Sequence, residues 1–195
     1  MNAYLRHVSP VIRDHNGFIV KYLGDGMMAV FPQSVDDAVA AGIAKLRSVA
    51  EYNQRRQADG FAPIAVGIGI HFGHMMVGMV GEAARMQGDA FSDNVNLTAR
   101  LESLTKLYGV SMIVSDRALA QLSNPERYHT RFLDRVIVKG RSEPISLYQV
   151  LNGEPESTIE QLKLVHDSLE SGLSYYQSGL FDKALACFQQ VLDEV

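Results

Sequence analysis

The sequence contains a single cysteine, Cys187, and no tryptophan among its 195 residues. One thiol excludes an intrachain disulfide and a zinc site built from several cysteines. No apolar run reaches the roughly 20 residues that a membrane-spanning helix needs, and the first residues do not resemble a signal peptide. These absences predict a cytoplasmic protein, or the cytoplasmic part of a larger one, with no membrane segment in this chain.

The sequence also lacks a run of charge of one sign. Its 18 basic and 22 acidic residues are spread along the chain and give a net charge of −4. Proteins that bind nucleic acids usually concentrate Lys and Arg on one surface, so no nucleic-acid partner is expected. The hydrophobic share of 47% is sufficient for one core and a smaller appendage.

The most informative stretch is a predicted hairpin near the start of the chain. Two apolar runs, 18–23 and 27–31, flank Gly24-Asp25-Gly26, and an Asp-Gly turn between such runs is a strong signal for a β-hairpin. Asp25 would lie at the tip, where a role as a turn former explains it equally well. Lys21 is a lone charge in the first strand. Since lysine is rarely buried without a partner, Lys21 indicates a binding role for this hairpin.

The rest of the first 151 residues predicts strands and helices in alternation, with frequent hairpins. Helices are expected over 3–15 with a kink or limit at Pro10, over 34–57 behind a Ser34 cap, over 93–108 capped by Asp93, and over 115–122 capped by Ser115. Strands are expected over 62–72 and 75–80 around Gly73-His74, and over 110–114, 128–138 and 145–150, with a polar loop over 81–89. This pattern predicts an α/β (α+β) fold with a mixed sheet and helices on one or both faces.

The composition changes after residue 151. A polar linker over 152–157 precedes a predicted helix pair over 158–177 and 181–195. The small and large residues that would pack between these helices have the spacing of a tetratricopeptide repeat: Gly172, Tyr175, Gly179, Phe181, Ala184 and Phe188. An ordinary helical hairpin docked on the main domain gives the same pattern. Because one repeat cannot bury its own face, we expect either more repeats beyond Val195 or a protein partner for this arm.

A second informative stretch spans residues 88–101. Asn96 and Arg100 are four residues apart on the predicted helix and share one face, a pair that is usually solvated surface when it stands alone. The joint spacing is more specific. Lys21-x-x-x-Asp25, Asp89 seven residues before Asn96, and Val138-Lys139-Gly140 before the final strand resemble the catalytic domain of class III adenylate/guanylate cyclases. The resemblance covers about residues 1–151. The Gly-Gly-Asp-Glu-Phe turn of diguanylate cyclases is absent.

The resemblance implies a ferredoxin-like domain, with a mainly antiparallel sheet, that works as a dimer with active sites at the subunit interface. It implies Mg²⁺ or Mn²⁺ held by two aspartates, one of which Asp25 matches. Arg100 matches the residue that stabilises charge on the α-phosphate, and Asn96 matches the one that orients the ribose. Lys139 matches a lysine that binds the terminal phosphates. In the family, the ribose 3′-hydroxyl attacks the α-phosphate and pyrophosphate leaves.

Lys21 and Asp89 match the two residues that contact the base. Their chemistry favours adenine, because an ammonium donates to the N1 acceptor and a carboxylate accepts from the exocyclic amine. Guanine presents the reverse order, and each buried mismatch costs about 1–3 kcal/mol. We therefore expect ATP as the substrate. A loop acid that points at water remains the alternative interpretation of Asp89.

One departure from the family pattern affects the expected activity. The family places its first metal aspartate on an opening strand, and no such segment precedes Asn2; Asp14, near a helix end, is not a substitute. We therefore expect the chain to be weak or inactive as a homodimer. It would be either a fragment of a longer cyclase or a catalytically silent dimerisation or regulatory module. A longer cyclase subunit would complete one site in a heterodimer, and a nucleotide sensor without turnover is the third hypothesis.

Overall fold

The structure, a computed structural model, describes residues 1–82, 85–138 and 143–194. It begins with two short helices, α1 (Asn2–Val8) and α2 (Pro10–Asp14), which meet at Ser9. Pro10 occupies the first turn of α2, where its missing N–H is not needed, and this confirms that it limits the first helix. The predicted hairpin follows as β1 (Phe18–Leu23) and β2 (Gly26–Val30), paired antiparallel.

The long helix α3 (Val35–Ala58) comes next. Its predicted cap is confirmed, because the Ser34 hydroxyl accepts a hydrogen bond from the Asp37 N–H at 3.0 Å. The remaining elements of this region are, in chain order, β3 (Ile68–Ile70), β4 (Met76–Glu82), β5 (Arg85–Phe91), α4 (Asp93–Tyr108), β6 (Met112–Ser115), α5 (Asp116–Leu119), a 3-10 turn (Pro125–Arg127), β7 (Thr130–Val136) and β8 (Ile145–Val150).

The described strands form one four-stranded sheet and two separate hairpins. The sheet has the order β3-β6-β8-β7, and β4 pairs with β5 outside it. The pair of β3 and β6 is parallel, whereas the other pairs of described strands are antiparallel. The α/β (α+β) class with a mixed, mainly antiparallel sheet is therefore confirmed.

The four-stranded sheet lies between α3 and α4. Its strands point alternate side chains to opposite faces, and each face packs against one of the two helices. On one face, Met112 and Val114 of β6 pack with Val39 and Leu46 of α3. On the other face, Ile113 packs with apolar residues of α4 and β8, namely Leu97, Leu101, Ile145 and Leu147. Each helix therefore has a fixed position on the sheet, and this fixes the side chains that α4 projects.

Two expectations for the middle of the chain are wrong. The polar loop predicted over 81–89 is largely strand, since β4 extends to Glu82 and β5 begins at Arg85. The strand expected over 62–72 is much shorter in the structure. β3 is reduced to three residues and pairs with β6, whereas β4 pairs with β5. The side chains of β4 are exposed on both faces, so the hairpin is held by main-chain pairing rather than by a buried face.

The chain divides into two compact units, Met1–Gly153 and Glu154–Val195. The described part of the second unit consists of α6 (Glu156–Leu164), α7 (His166–Gln177) and α8 (Phe181–Glu194). The helix expected over 158–177 is thus two helices that meet at Val165. Gly172 lies against Phe188 and Cys187, where an added Cβ would overlap the Phe188 ring. The tetratricopeptide interpretation stays a prediction.

Candidate active site

The tip of the β1–β2 hairpin presents Asp25 to solvent. Leu23 pairs with Gly26, so Gly24 and Asp25 form a two-residue turn, and Gly24 has a φ of +66° that favours glycine. The turn lies close enough to Tyr4 of α1 to affect its hydroxyl. Burial raises the pKa of Tyr4, and the charge of Asp25 raises it further. Farther from the tip, the Ser9 and Tyr22 hydroxyls are 3.2 Å apart. The hairpin is therefore fixed to the N-terminal helices.

Lys21 has the partner that its position required. Its Nζ lies 2.6 Å from Asp89 Oδ1 on β5, and both side chains are about three-quarters buried, at 20% and 25% exposure. The same Asp89 oxygen accepts a hydrogen bond from the Ala90 N–H at 2.7 Å. These two hydrogen bonds, that of Lys21 first, lower the pKa of the Asp89 carboxyl. An ammonium and a carboxylate therefore lie side by side where the two hairpins meet.

The two hairpins approach each other closely at Gly88. An added Cβ at Gly88 would lie 3.4 Å from the Val20 carbonyl oxygen, so the backbones of β1 and β5 are almost in contact. Asp89 belongs to β5 and is not a loop acid that points at water. The two residues are 68 positions apart in the sequence, and the packing of the β4–β5 hairpin against β1 brings them together.

The N-terminal half of α4 presents Asn96 and Arg100. The cap is Ser92, whose hydroxyl accepts from the Val95 N–H at 3.2 Å, and the prediction of Asp93 as the cap is wrong. Asn96 is exposed and Arg100 half-buried. Within the described residues, neither side chain makes a hydrogen bond or an ion pair. An amide and a guanidinium are thus available to an anionic ligand, for which the guanidinium offers forked donors.

Sequence reasoning missed three residues beside α4. His71 Nδ1 lies 2.8 Å from Ser115 Oγ, and His71 Nε2 lies 3.2 Å from Asn94 Oδ1. Ser115 was anticipated as a helix cap alone. The available signal was a histidine directly after a predicted strand and an asparagine in the first turn of the next helix. The sequence does not show that these two side chains are in contact.

Comparison with known families identifies the fold. The family model described as the adenylate and guanylate cyclase catalytic domain matches residues 1–152. The chain belongs to this family. Its cyclase domain is 36% identical over 156 residues to the adenylate cyclase of Anabaena cylindrica, which covers 77% of this chain and 31% of that protein. The terminal-differentiation specific adenylate cyclase of Dictyostelium discoideum is 32% identical over 197 residues, or 97% of this chain and 9% of that protein.

Solved structures agree with this assignment. The guanylyl cyclase Cya2 matches with a TM-score of 0.66 and 30% identity, over 80% of each chain. The adenylyl cyclase CyaB from P. aeruginosa matches with a TM-score of 0.66 and 28% identity, over 76% of this chain and 79% of that one. Relatives of both nucleotide types therefore share this cyclase domain. The chain spans less than a third of the length of the two curated relatives.

Lys139 lies outside the described residues. Asp25 supplies one hard oxygen ligand of the kind that Mg²⁺ and Mn²⁺ prefer. In the part of the chain that the structure describes, no cluster of three or more His, Cys, Asp or Glu side chains could hold a metal ion. The donor chemistry of Asp25 thus suits a divalent ion. In the same part, no helix is long and apolar enough to cross a membrane.

Proposed function

We propose that this chain contributes to an adenylate cyclase site that converts ATP to cyclic AMP and pyrophosphate at the interface of two subunits. The supporting observation is the pairing of Lys21 with Asp89 at 2.6 Å. The pair offers one donor and one acceptor at hydrogen-bond spacing. Adenine has the complementary pattern, an acceptor at N1 beside a donating amine. Guanine would leave both protein groups mismatched.

The reaction needs positioning and charge stabilisation more than covalent chemistry. The ribose 3′-oxygen loses its proton and forms a bond to the α-phosphorus, and the bond from that phosphorus to the bridging oxygen breaks, so that pyrophosphate leaves. Arg100 would donate to the α-phosphate oxygens as charge develops on them, and Asn96 would orient the ribose. Lys139 would bind the terminal phosphates.

A divalent ion would add electrostatic neutralisation of the phosphate oxygens, and Asp25 is the residue of this chain that would hold it. Asp25 is well placed for this role because it lies in a two-residue turn and its side chain is exposed. Because the family resemblance implies two metal aspartates and Asp25 matches one of them, we propose that a homodimer of these 195 residues turns ATP over weakly and that a longer cyclase subunit completes the ligand set.

The dimer interface is proposed from the β4–β5 hairpin. Large apolar side chains are exposed along it, namely Met76, Val77, Met79, Val80, Met86 and Phe91. A monomeric protein rarely exposes so many neighbouring apolar side chains, and the flexible methionines adapt to a partner surface. Because Asp89 lies on the same hairpin, a subunit docked there would border the Lys21–Asp89 pair.

Since Asp25 matches only one of the two metal aspartates, a second candidate is a catalytically silent dimerisation module with a protein-binding helical arm. The two candidates differ in nucleotide binding. A silent module that has lost its substrate gives no selective affinity for ATP, whereas a cyclase site discriminates between purines even when turnover is slow.

Nucleotide preference tests the proposal. Calorimetric titration of the chain with ATP and with GTP, each with Mg²⁺, is expected to give at least about 10-fold tighter binding of ATP, because GTP would leave two polar groups mismatched. Lys21→Met should reduce this preference to within about 3-fold, since one of the two base contacts is then lost. Lys106→Met removes an exposed lysine elsewhere on α4 and should leave the preference intact. Preference for GTP, or no purine selectivity, contradicts the proposal.

A further inference from the structure

The imidazole of His71 lies at the centre of a hydrogen-bonded relay. His71 directly follows β3 and is half-buried. Its Nδ1 is 2.8 Å from Oγ of Ser115, a fully buried residue at the end of β6. Its Nε2 is 3.2 Å from Asn94 Oδ1, in the first turn of α4. The Asn94 amide then donates to the His74 carbonyl oxygen at 2.8 Å, just before β4.

The partners determine where the protons of this relay lie. Ser115 Oγ accepts the Ala118 N–H at 3.2 Å as the cap of α5, so its own hydroxyl hydrogen is free to point at His71 Nδ1. Asn94 Nδ2 is the donor to His74, which leaves Asn94 Oδ1 as the acceptor for His71 Nε2–H. In this arrangement His71 Nε2 donates to Asn94 Oδ1, and the Ser115 hydroxyl donates to His71 Nδ1.

The relay joins the elements that contain the proposed site. Asn94 lies two residues before Asn96 and six before Arg100 on the same helix. The His74 carbonyl begins the segment that leads into β4, whose partner β5 contains Asp89. Farther along α4, an added Cβ at Gly69 would lie 2.6 Å from the Thr98 oxygen and 2.5 Å from the Glu102 nitrogen. Main-chain contact thus holds α4 against β3 at Thr98 and Glu102, and the relay is a second attachment, at the first turn, that sets the direction of the helix axis.

We propose that His71 is a positioning residue of the cyclase site, which sets the first turn of α4 so that Arg100 reaches the nucleotide α-phosphate. This inference rests on the proposed function. His71 does not contact the nucleotide. It acts through Asn94, and replacing it shifts the helix start on which Asn96 and Arg100 depend.

A double-mutant cycle with a nucleotide that cannot react tests this role. The probe is 3′-deoxy-ATP with Mg²⁺, which lacks the attacking hydroxyl, and its affinity is measured by calorimetry. Arg100→Ala is expected to weaken binding about 10-fold, as for loss of a charged hydrogen bond. His71→Phe is expected to weaken it about 3-fold or more, and the double variant should bind like Arg100→Ala alone, because the two changes act on one contact. Asn94→Ala breaks the relay at a half-buried surface position and should repeat the result if His71→Phe does not fold.

The control is His74→Ala, which keeps the relay's carbonyl and removes an exposed imidazole three residues away; it should leave the affinity unchanged. Additive effects of His71→Phe and Arg100→Ala, or no effect of the relay variants, overturn this inference and leave the proposed function standing. An affinity that does not respond to Arg100→Ala overturns both. Ring ¹⁵N chemical shifts of His71 in the nucleotide-free protein should show Nε2–H, and a predominant Nδ1–H tautomer overturns the relay whatever the affinities are.

Discussion

Tyr108, the last residue of α4, makes a polar contact at the end of the helix opposite to the His71 relay. The Tyr108 hydroxyl donates to Asp134 Oδ2 at 2.7 Å, and the other carboxylate oxygen accepts the Arg135 N–H of β7 at the same distance. Burial raises the pKa of Tyr108, and the hydrogen bond to Asp134 and its charge raise it further, so the hydroxyl stays protonated across the neutral range. Tyr108 thus ties the end of α4 to an edge strand of the sheet.

Removal of this hydroxyl should destabilise the protein in a pH-dependent way. Tyr108→Phe is expected to lower the free energy of unfolding by about 1 kcal/mol at pH 7, the usual value of one hydrogen bond. Because the folded pKa lies above the unfolded one, the contribution is complete below the unfolded pKa of about 10 and is lost as the pH rises further. Urea denaturation at pH 7 and above pH 10 should show the difference from wild type shrinking.

Tyr148→Phe is the matched control for this measurement. Its ring contacts Phe132 edge-on, and its hydroxyl makes no hydrogen bond to another described residue, so the stability should change little. A constant difference between Tyr108→Phe and wild type at all pH values would contradict the assigned ionisation.

Single residues also show what the sequence can predict. The need of Lys21 for a partner follows from the cost of burying an ammonium. The identity of that partner does not, because Asp89 is brought near by pairing of β5 with β4 and by the close approach of Gly88 to Val20. The roles of these residues came from family resemblance, and they stay predictions until nucleotide binding is measured.

At the scale of the elements, the turn of the β1–β2 hairpin depends on the backbone conformation of one residue. Gly24 adopts a φ of +66°, and nothing lies within 4 Å of an added Cβ. A side chain there would therefore meet no steric obstacle, and the cost of adding one is conformational strain alone. The turn holds Asp25, so this strain acts directly on the proposed metal ligand.

Gly24→Ala is expected to lower the free energy of unfolding by about 1 kcal/mol, the usual penalty for a side chain in the left-handed region. Gly78→Ala is its control. Gly78 lies in β4 with equally open space around it and without a positive φ, so its replacement should have a much smaller effect. Thermal or urea unfolding of both variants provides the measurement, and equal destabilisation by the two would contradict the explanation by strain.

The elements that were predicted correctly have strong local signals. The Asp-Gly turn, Pro10 and the Ser34 cap each determine a boundary within a few residues. β5 was missed because its sequence, RMQGDAF, is mostly polar or small and lacks the apolar alternation that predicts a strand. The cap of α4 was misplaced by one residue because Ser92 and Asp93 are neighbouring residues that both cap well.

At the scale of the whole chain, a cyclase domain is followed by a helical unit. The expected division near residue 151 rested on a composition change, and the compact units meet between Gly153 and Glu154. In the helical unit, large apolar side chains remain exposed, including Leu164, Phe181, Leu185 and Leu192. A partner for the helical arm stays a prediction, as does the homodimer of the cyclase domain.

Turnover by the whole chain follows from the proposed shared site. With ATP and Mn²⁺, the 195-residue protein is expected to form cyclic AMP at less than about 1 s⁻¹, below the usual range of enzymes. The rate per chain should rise with protein concentration, because two chains must associate. Arg100→Ala should abolish the product, whereas Lys106→Met should not. Rapid turnover that is independent of concentration would contradict both the incomplete ligand set and the shared site.

The contact between β3 and α4 has a consequence for how this sequence can change over evolutionary time. At Gly67, an added Cβ would overlap the Thr105 hydroxyl, a side chain that a second substitution could remove. At Gly69, the obstructing atoms are the main-chain nitrogen of Glu102 and oxygen of Thr98, which every amino acid possesses. A substitution at Gly67 can therefore be partly compensated at Thr105, because the Glu102 carbonyl oxygen would still lie 3.2 Å from the added Cβ. No substitution on the facing helix can compensate for a side chain at Gly69. We therefore expect this position to remain glycine while neighbouring core positions change.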